Sequence, residues 1–386
     1  MGLIPTESQI LIRDFLAANP ELDSELGNIE TMTDRYTNAE WDEQIKETQK
    51  KVKGDPSRKY KAPDPGSKEL AETVDHTVLK LDATSAQIDA LCSEARTEGF
   101  KSVCVRLNHV SRCVSNLKGT SVVVACVVGF HEGTQDTHSK LHEARAAVAA
   151  GAAELDVVLN HTILTSHNNP AASSSSSSSS SPTVPKGHSR DSTADTITAA
   201  NTVANAKPRD GATVHEGPYS ASAAGKHVPN YSAIYTELAS IRSLCPSPTV
   251  LKLILETSQL THAQILAASH LAAAANFDFI KTSTGFNGPG ATLPHVQLMV
   301  AAAEYLSTET KENGGAPVSL RKMQVKASGG VRSLEDAVKM LEAGATRLGT
   351  SSGLWIMQEG RKARDEGGQR PSAPTRLYTD DSVGGY

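Results

Sequence analysis

Lys281 and Lys326 each close a short apolar run and stand just ahead of a glycine-bearing turn. The runs read Phe279-Ile280-Lys281-Thr282-Ser283-Thr284-Gly285 and Gln324-Val325-Lys326-Ala327-Ser328-Gly329-Gly330. An ammonium placed inside a sheet loses its hydration. Its pKa falls for that reason, and falls further where a second cation is near. A lysine that is neutral at neutral pH is a nucleophile toward carbonyl carbons. Two such lysines on neighbouring strands point to an enzyme that works through a Schiff base.

Side chains in such positions need strands to hold them, and the chain supplies eight apolar runs. They are Glu72–Leu79, Ser102–Arg106, Val122–Phe130, Glu154–Leu159, Leu251–Thr257, Phe277–Ser283, Met323–Ser328 and Arg347–Ser351. Helical patterns lie between them at Ser85–Glu98, Asn108–Leu117, Asp136–Ala150, Ser232–Leu244, Thr261–Asn276, Leu293–Leu306 and Ser333–Ala343, with another at Gly353–Arg361. Alternating strands and helices imply right-handed crossovers and a parallel sheet. Eight units predict a closed (β/α)8 TIM barrel, a fold of about 250 residues. Thr84 or Ser85, Asp136, Thr261 and Ser333 are good N-caps, and Gly99, Gly151 and Gly344 suit helix C-termini.

Side chains alternate between barrel interior and helix layer along each strand. If Lys281 points inward, the same parity places Lys326, Lys252 and Asp156 inward, and the first strand adds Asp75. Desolvating each ion costs several kcal/mol before pairing. A single buried Lys–Asp pair is ordinarily structural, but five converging ionisable groups argue for chemistry.

Glycine loops follow the last two strands, Ser328-Gly329-Gly330 and Gly349-Thr350-Ser351-Ser352-Gly353. Barrels frequently bind phosphate there, beside a helix N-terminus. The expected donors are Gly329, Gly330, Gly349, Ser351 and Ser352, with Thr282, Thr284 and Gly285 added from the loop after strand six. His131, His138 and His142 raise a metal site, since two of them stand one helical turn apart. No carboxylate accompanies all three at a telling spacing, and a polar helix face is the simpler reading, so no metal is expected.

The flanks have another texture. Residues 1–68 are polar and charged, with helical patterns at Ser8–Ala18 and Ala39–Lys53, then Pro, Gly and Lys up to Gly66. They are expected to form a partly helical N-terminal extension on a flexible linker. The barrel then occupies 69–361. Residues 165–228 interrupt it with a Ser-rich stretch that includes Ser173–Ser181 and lacks apolar periodicity. That stretch is expected to be a disordered insertion after strand four, and 362–386 a mobile tail.

Whole-chain properties exclude several classes. The 386 residues carry a net charge of −5, which gives no electrostatic case for nucleic acid or an anionic membrane. No apolar run reaches the roughly 18 residues of a bilayer span, and the first residues lack a secretory pattern. Five scattered cysteines without a CxxC pair indicate a reducing compartment, hence a cytoplasmic protein. A homo-oligomer is left open.

Five segments together resemble the deoxyribose-phosphate aldolase family. They are Val74-Asp75-His76-Thr77-Val78-Leu79-Lys80, Ala153-Glu154-Leu155-Asp156-Val157-Val158, Leu251-Lys252-Leu253-Ile254-Leu255-Glu256-Thr257, Phe279 to Phe286, and Val325-Lys326-Ala327-Ser328-Gly329-Gly330-Val331-Arg332. The resemblance runs over about residues 70–358, apart from the Ser-rich stretch. It implies a class I aldolase on a (β/α)8 barrel that cleaves 2-deoxy-D-ribose 5-phosphate reversibly to acetaldehyde and D-glyceraldehyde 3-phosphate, without metal or other cofactor. The resemblance makes Lys281 the Schiff-base lysine and Lys326 the second lysine that keeps it partly neutral. Asp156 becomes the proton-relaying carboxylate, with Lys252 and Asp75 in support. It also offers Tyr386, the last residue, as a proton donor reaching in from the tail.

Two loops depart from the family's pattern. The second strand leads into Cys104-Val105-Arg106-Leu107-Asn108-His109, where a proline is usual. The third leads into Gly129-Phe130-His131-Glu132-Gly133, where a proline commonly follows the phenylalanine. A lysine aldolase with a different aldehyde preference therefore stays open. So does a non-catalytic barrel whose extension and insertion recruit partners.

Overall fold

The computed structural model describes residues 5–20, 36–166, 228–308 and 322–366. The Ser-rich residues 167–227 and the tail with Tyr386 lie outside the described residues.

Two helices, α1 (Glu7–Ala18) and α2 (Asn38–Lys51), precede the barrel, and a short α3 (Lys68–Ala71) leads into it. Then follow β1 (Val74–Thr77), α4 (Ser85–Glu98), β2 (Ser102–Val105), α5 (Val110–Asn116), β3 (Val123–Val128), α6 (Thr137–Ala149), β4 (Glu154–Val158) and α7 (Thr162–Thr165). The second half holds α8 (Tyr231–Leu244), β5 (Val250–Ile254), α9 (His262–Ala274), β6 (Phe279–Lys281), α10 (Leu293–Thr308), β7 (Gln324–Ser328), α11 (Leu334–Glu342), β8 (Arg347–Thr350) and α12 (Gly353–Asp365). The eight strands form a closed parallel barrel in sequence order, with β8 pairing back onto β1.

Local chemistry sets the helix starts. Thr84 and Thr261 close capping boxes with Gln87 and Gln264. Asp136 and Ser333 each accept one N–H from the first turn of their helices. Asp336 leaves its capping box unfinished, because its carboxylate accepts from Arg332 N–H instead of Ser333 N–H. Gly99 ends α4 in the left-handed region, at φ 73°.

The outer faces of the strands and the inner faces of the helices form one apolar core. A second, smaller cluster fills part of the barrel itself: Leu79, Cys104, Ala125, Val127, Phe130, Val158 and Ile254, with Phe286 packed on it. All five cysteines are free and buried. Burial pushes the Cys104 thiol up to about 11, so it packs as a neutral side chain.

The N-terminal extension is not held on a loose tether. Phe15, Trp41 and Ile45 are buried in the main core. Trp41 lies against Tyr235 of α8 and edge-on to Tyr36, both at 4.9 Å. Residues 53–66, expected as a flexible linker, run as a strap over α10, α11 and α12. Tyr60 N–H donates to Glu342 O at 2.8 Å, and its hydroxyl donates to Glu304 at 2.8 Å. Gly66, at φ 68°, sits so close to Gly360 and Arg361 that a Cβ would come within 2.6 Å of backbone. Glycine and proline serve close approach here, not freedom. Trp41→Ala is expected to destabilise the protein by about 3–5 kcal/mol, which urea denaturation would measure.

Candidate active site

Strand register brings the charged side chains side by side. Asp156 of β4 pairs with Lys252 of β5. Lys281, Lys326 and Arg347 form a row across β6, β7 and β8. Asp75 of β1 pairs with Gly349 of β8.

Asp156 is the centre of the arrangement. Its Oδ1 accepts from Lys252 Nζ at 2.7 Å, and its Oδ2 accepts from both Lys281 and Lys326 Nζ at 2.8 Å. Lys326 Nζ also lies 2.5 Å from Asp75 Oδ2, an ion-pair contact outside hydrogen-bond geometry. Below this layer Lys252 Nζ meets Glu154 at 2.6 Å. Arg347 spans Asp75 at 2.6 Å and Glu154 at 3.0 Å, while Ser102 donates to Asp75 at 2.7 Å. All five ionisable residues expected inside the barrel are therefore together and buried. Tyr386 lies outside the described residues.

Glu154, Arg347 and Ser102 were not anticipated. Glu154 stands two residues before Asp156 and so shares its face, a signal present in the sequence. The barrel interior thus holds three carboxylates and four cationic side chains. The set balances when one lysine is neutral, and Lys281 is the one whose environment asks for it. Burial pulls its pKa below the ordinary lysine value; Asp156 opposes that and the Lys326 charge reinforces it. Burial would also lower Lys326 and Lys252, but Asp156 with Asp75, and Asp156 with Glu154, hold those two above the ordinary value. Burial alone would raise the Asp156 carboxyl, yet three ammonium groups hold it well below the usual carboxylate range. The result is one coupled titrating cluster with its most easily deprotonated amine at Lys281.

A cavity of about 530 Å³, lined by Glu154, Phe279, Gln324 and Arg347 among others, opens at the N-terminal mouth. Lys281 ends β6 at the opposite mouth, where barrel active sites lie.

The expected phosphate donors divide. Gly330, at φ 80°, faces open space, with no atom within 4 Å of where a Cβ would be. Ser351 and Ser352 precede α12, whose first turn has no side-chain cap. Three others have different partners. Thr282 Oγ1 donates to Ser328 O and accepts Ser328 N–H, tying β6 to β7. Thr284 Oγ1 donates to the Glu256 carboxylate. Gly349 lies within β8, where a Cβ would come 2.7 Å from Ser328 Cβ and 2.9 Å from Lys326 Cε. Its hydrogen side chain makes room for Lys326 and is not a loop donor. Gly349→Ala is expected to displace Lys326, costing about 1–3 kcal/mol of stability together with a fall in kcat, read by thermal denaturation and steady-state assay.

Among the described residues no three His, Cys, Asp or Glu side chains gather as metal ligands. His131 instead stacks on Phe286, with ring centroids 5.1 Å apart and 13° between planes. His138 lies near Phe15. Among the same residues no helix is long and apolar enough to cross a membrane.

Comparison with known proteins adds to this geometry. The sequence matches the DeoC/LacD family aldolase description over residues 70–174 and 218–359. It is 38% identical over 302 residues to a deoxyribose-phosphate aldolase of Coccidioides immitis, covering 78% of this chain and 84% of that one. It is 35% identical over 292 residues to a deoxyribose-phosphate aldolase of Bdellovibrio bacteriovorus, covering 76% of this chain and 97% of that one. A crystal structure from Coccidioides immitis, 36% identical, superposes with a TM-score of 0.62 over 84% of this chain and 98% of the other.

Proposed function

The chain belongs to the DeoC/LacD family of aldolases, and from that premise we propose that it cleaves 2-deoxy-D-ribose 5-phosphate reversibly to acetaldehyde and D-glyceraldehyde 3-phosphate through a Schiff base on Lys281. The observation that carries the reading is the shared oxygen of Asp156. Two lysine nitrogens converge on it inside the cluster, and Lys281 is the one whose surroundings favour the neutral amine.

Neutral Lys281 attacks C1 of the open-chain sugar, and water leaves to give an iminium. The iminium draws in the C2–C3 bonding pair, while the C3 hydroxyl gives up its proton to the Asp156–Lys326 pair. That step releases glyceraldehyde 3-phosphate and leaves an enamine on Lys281. The enamine takes a proton back at C2, and water hydrolyses the product imine to acetaldehyde. One proton leaves and one returns, so the relay ends each cycle as it began.

The two halves of the substrate meet different walls. The apolar cluster with Phe130, Ile254 and Phe286 suits the two-carbon half. Ser351, the Ser352 hydroxyl and the uncapped first turn of α12 suit the phosphate, with room for it beside Gly330, and the phosphate fixes the three-carbon half for reaction. Borohydride reduction in the presence of substrate tests the assignment. A stable adduct on Lys281 is expected, and trapping at another lysine, or none, would sink it.

Aldehyde preference is a separate matter. Arg106 Nε donates to Leu79 O at 2.7 Å, and its guanidinium lies 5.0 Å over the Phe130 ring. This rim stands where the chain departs from the family's usual loops. A panel of phosphorylated and free aldehydes would read its effect on acceptor choice.

A further inference from the structure

We propose that Glu256 is a positioning residue that clamps the loop after β6, and with it the loop after β7, in the shape that binds the phosphorylated half of the substrate. The proposal rests on the aldolase reading above and adds to it a residue that touches neither the lysines nor the phosphate.

Glu256 lies just beyond β5, with φ 57° and ψ 60°. A non-glycine residue in the left-handed region is costly and persists where the surroundings over-determine it. The backbone on either side is anchored: Leu255 N–H donates to Lys281 O and Thr257 N–H to Thr282 O, both at 2.9 Å. The residue between them is turned so that its carboxylate points into the barrel mouth, where it is 1% exposed.

That carboxylate gathers the next loop. It accepts from Thr284 N–H at 3.3 Å, from the Thr284 hydroxyl, and from Asn287 Nδ2 at 3.4 Å. Thr284 Oγ1 in turn accepts Phe286 N–H at 3.1 Å. Phe286 then meets Phe130 edge-on and stacks on His131, each at 5.1 Å. Asn287 Nδ2 also donates to His131 O at 3.1 Å, and Asn287 O accepts from Ser258 and Gln259 at 2.9 Å. One buried carboxylate therefore joins the ends of β3, β5 and β6. Burial pushes its pKa up, and these donors together with the Lys281 charge work against that rise.

The clamp extends to β7. Ala291 N–H donates to Ser328 O at 3.1 Å and Gly329 O at 2.9 Å. A Cβ on Gly290 would fall 2.0 Å from Gly329 O, so the two loops are in backbone contact. Moving the loop after β6 moves Gly329 and Gly330 with it. Placing substrate is thus linked to a residue on a third strand. The phosphate is bound in ground state and transition state alike, so loosening the clamp raises KM more than it lowers kcat.

The test is steady-state kinetics on full-length Glu256→Ala, Glu256→Gln and Glu256→Gly, run beside borohydride trapping of acetaldehyde. KM for the sugar phosphate is expected to rise about tenfold or more in the Ala and Gly variants, with kcat reduced by less than about threefold. Acetaldehyde trapping on Lys281 should decline far less than sugar-phosphate cleavage. Glu256→Gln should recover part of KM, because its amide oxygen can still accept the Thr284 hydroxyl. Should the Ala variant fail to fold, the Gly variant carries the test, since glycine tolerates the left-handed turn. An unchanged KM in the Gly variant would overturn the proposal. So would trapping lost in step with cleavage, which would place Glu256 in the lysine chemistry. Failure of the aldolase reading is distinct: the parent protein would then neither cleave the sugar phosphate nor trap acetaldehyde.

Discussion

Lys281→Leu is expected to lower aldol cleavage by on the order of 10⁵-fold or more, because the covalent route disappears with the amine. Folding should survive. Removing one member of a buried ion pair is usually costly, since it strands the other charge. Here Asp156 keeps Lys252 at 2.7 Å and Lys326 at 2.8 Å. The interior set then holds three carboxylates against three cations, so the substitution leaves it balanced. Leucine fills a similar volume beside Ile254, the Lys281 register partner on β5. Thermal denaturation should therefore show a midpoint close to that of the parent while turnover is lost. A variant that retains measurable cleavage would exclude Lys281 as the nucleophile. A variant that unfolds would show that the cluster needs its fourth cation, and with it that Lys281 is charged in the resting protein.

That argument depends on strand parity, the part of the site most legible in the sequence. Alternation alone put Lys252, Lys281, Lys326 and Asp156 on one interior face, and the eight apolar runs gave a closed barrel in chain order. Parity says which side a residue faces but not at what height along the barrel it sits. Parity does put Glu154 on the interior face, two residues before Asp156, but it does not show that Glu154 and Arg347, at the starts of their strands, meet there and complete the charge balance. Hydroxyl partners were equally hidden. Thr282 and Thr284 looked like loop donors, yet one spends its hydroxyl on β7 and the other on Glu256, residues remote in sequence. A glycine announces conformational freedom or close approach without saying which. Gly330 faces open space, whereas Gly349 makes room for Lys326 and Gly66 packs against α12. The partly helical extension is present as expected, and only residues 53–66 differ from the expected tether, since Pro and Gly are as common in a close-packed strap.

Lys326→Leu tests the electrostatic half of the mechanism. Lys281 and Lys326 both donate to Asp156 Oδ2 at 2.8 Å, so their nitrogens are at most about 5.6 Å apart, where two unit charges at an effective dielectric near 20 repel by about 3 kcal/mol. With Lys326 present, that repulsion adds to burial in favouring the neutral Lys281 amine. Once Lys326 is gone, three carboxylates face only two permanent cations besides Lys281, and the cluster now needs Lys281 charged. Its pKa rises. The reactive species is the free amine, which exists above that pKa, so the acid limb of the kcat/KM profile moves to higher pH. The expected result is a loss of rate at neutral pH that recovers as the pH is raised. Stability should fall as well, because Asp75 Oδ2 loses its 2.5 Å ion-pair contact and keeps only Lys252 at 3.9 Å. A loss that is flat with pH would mean that Lys326 acts as a proton donor to the enamine and not as a charge. A displacement toward lower pH would contradict the sign of the coupling. Either profile would return the cause of Lys281 reactivity to burial alone.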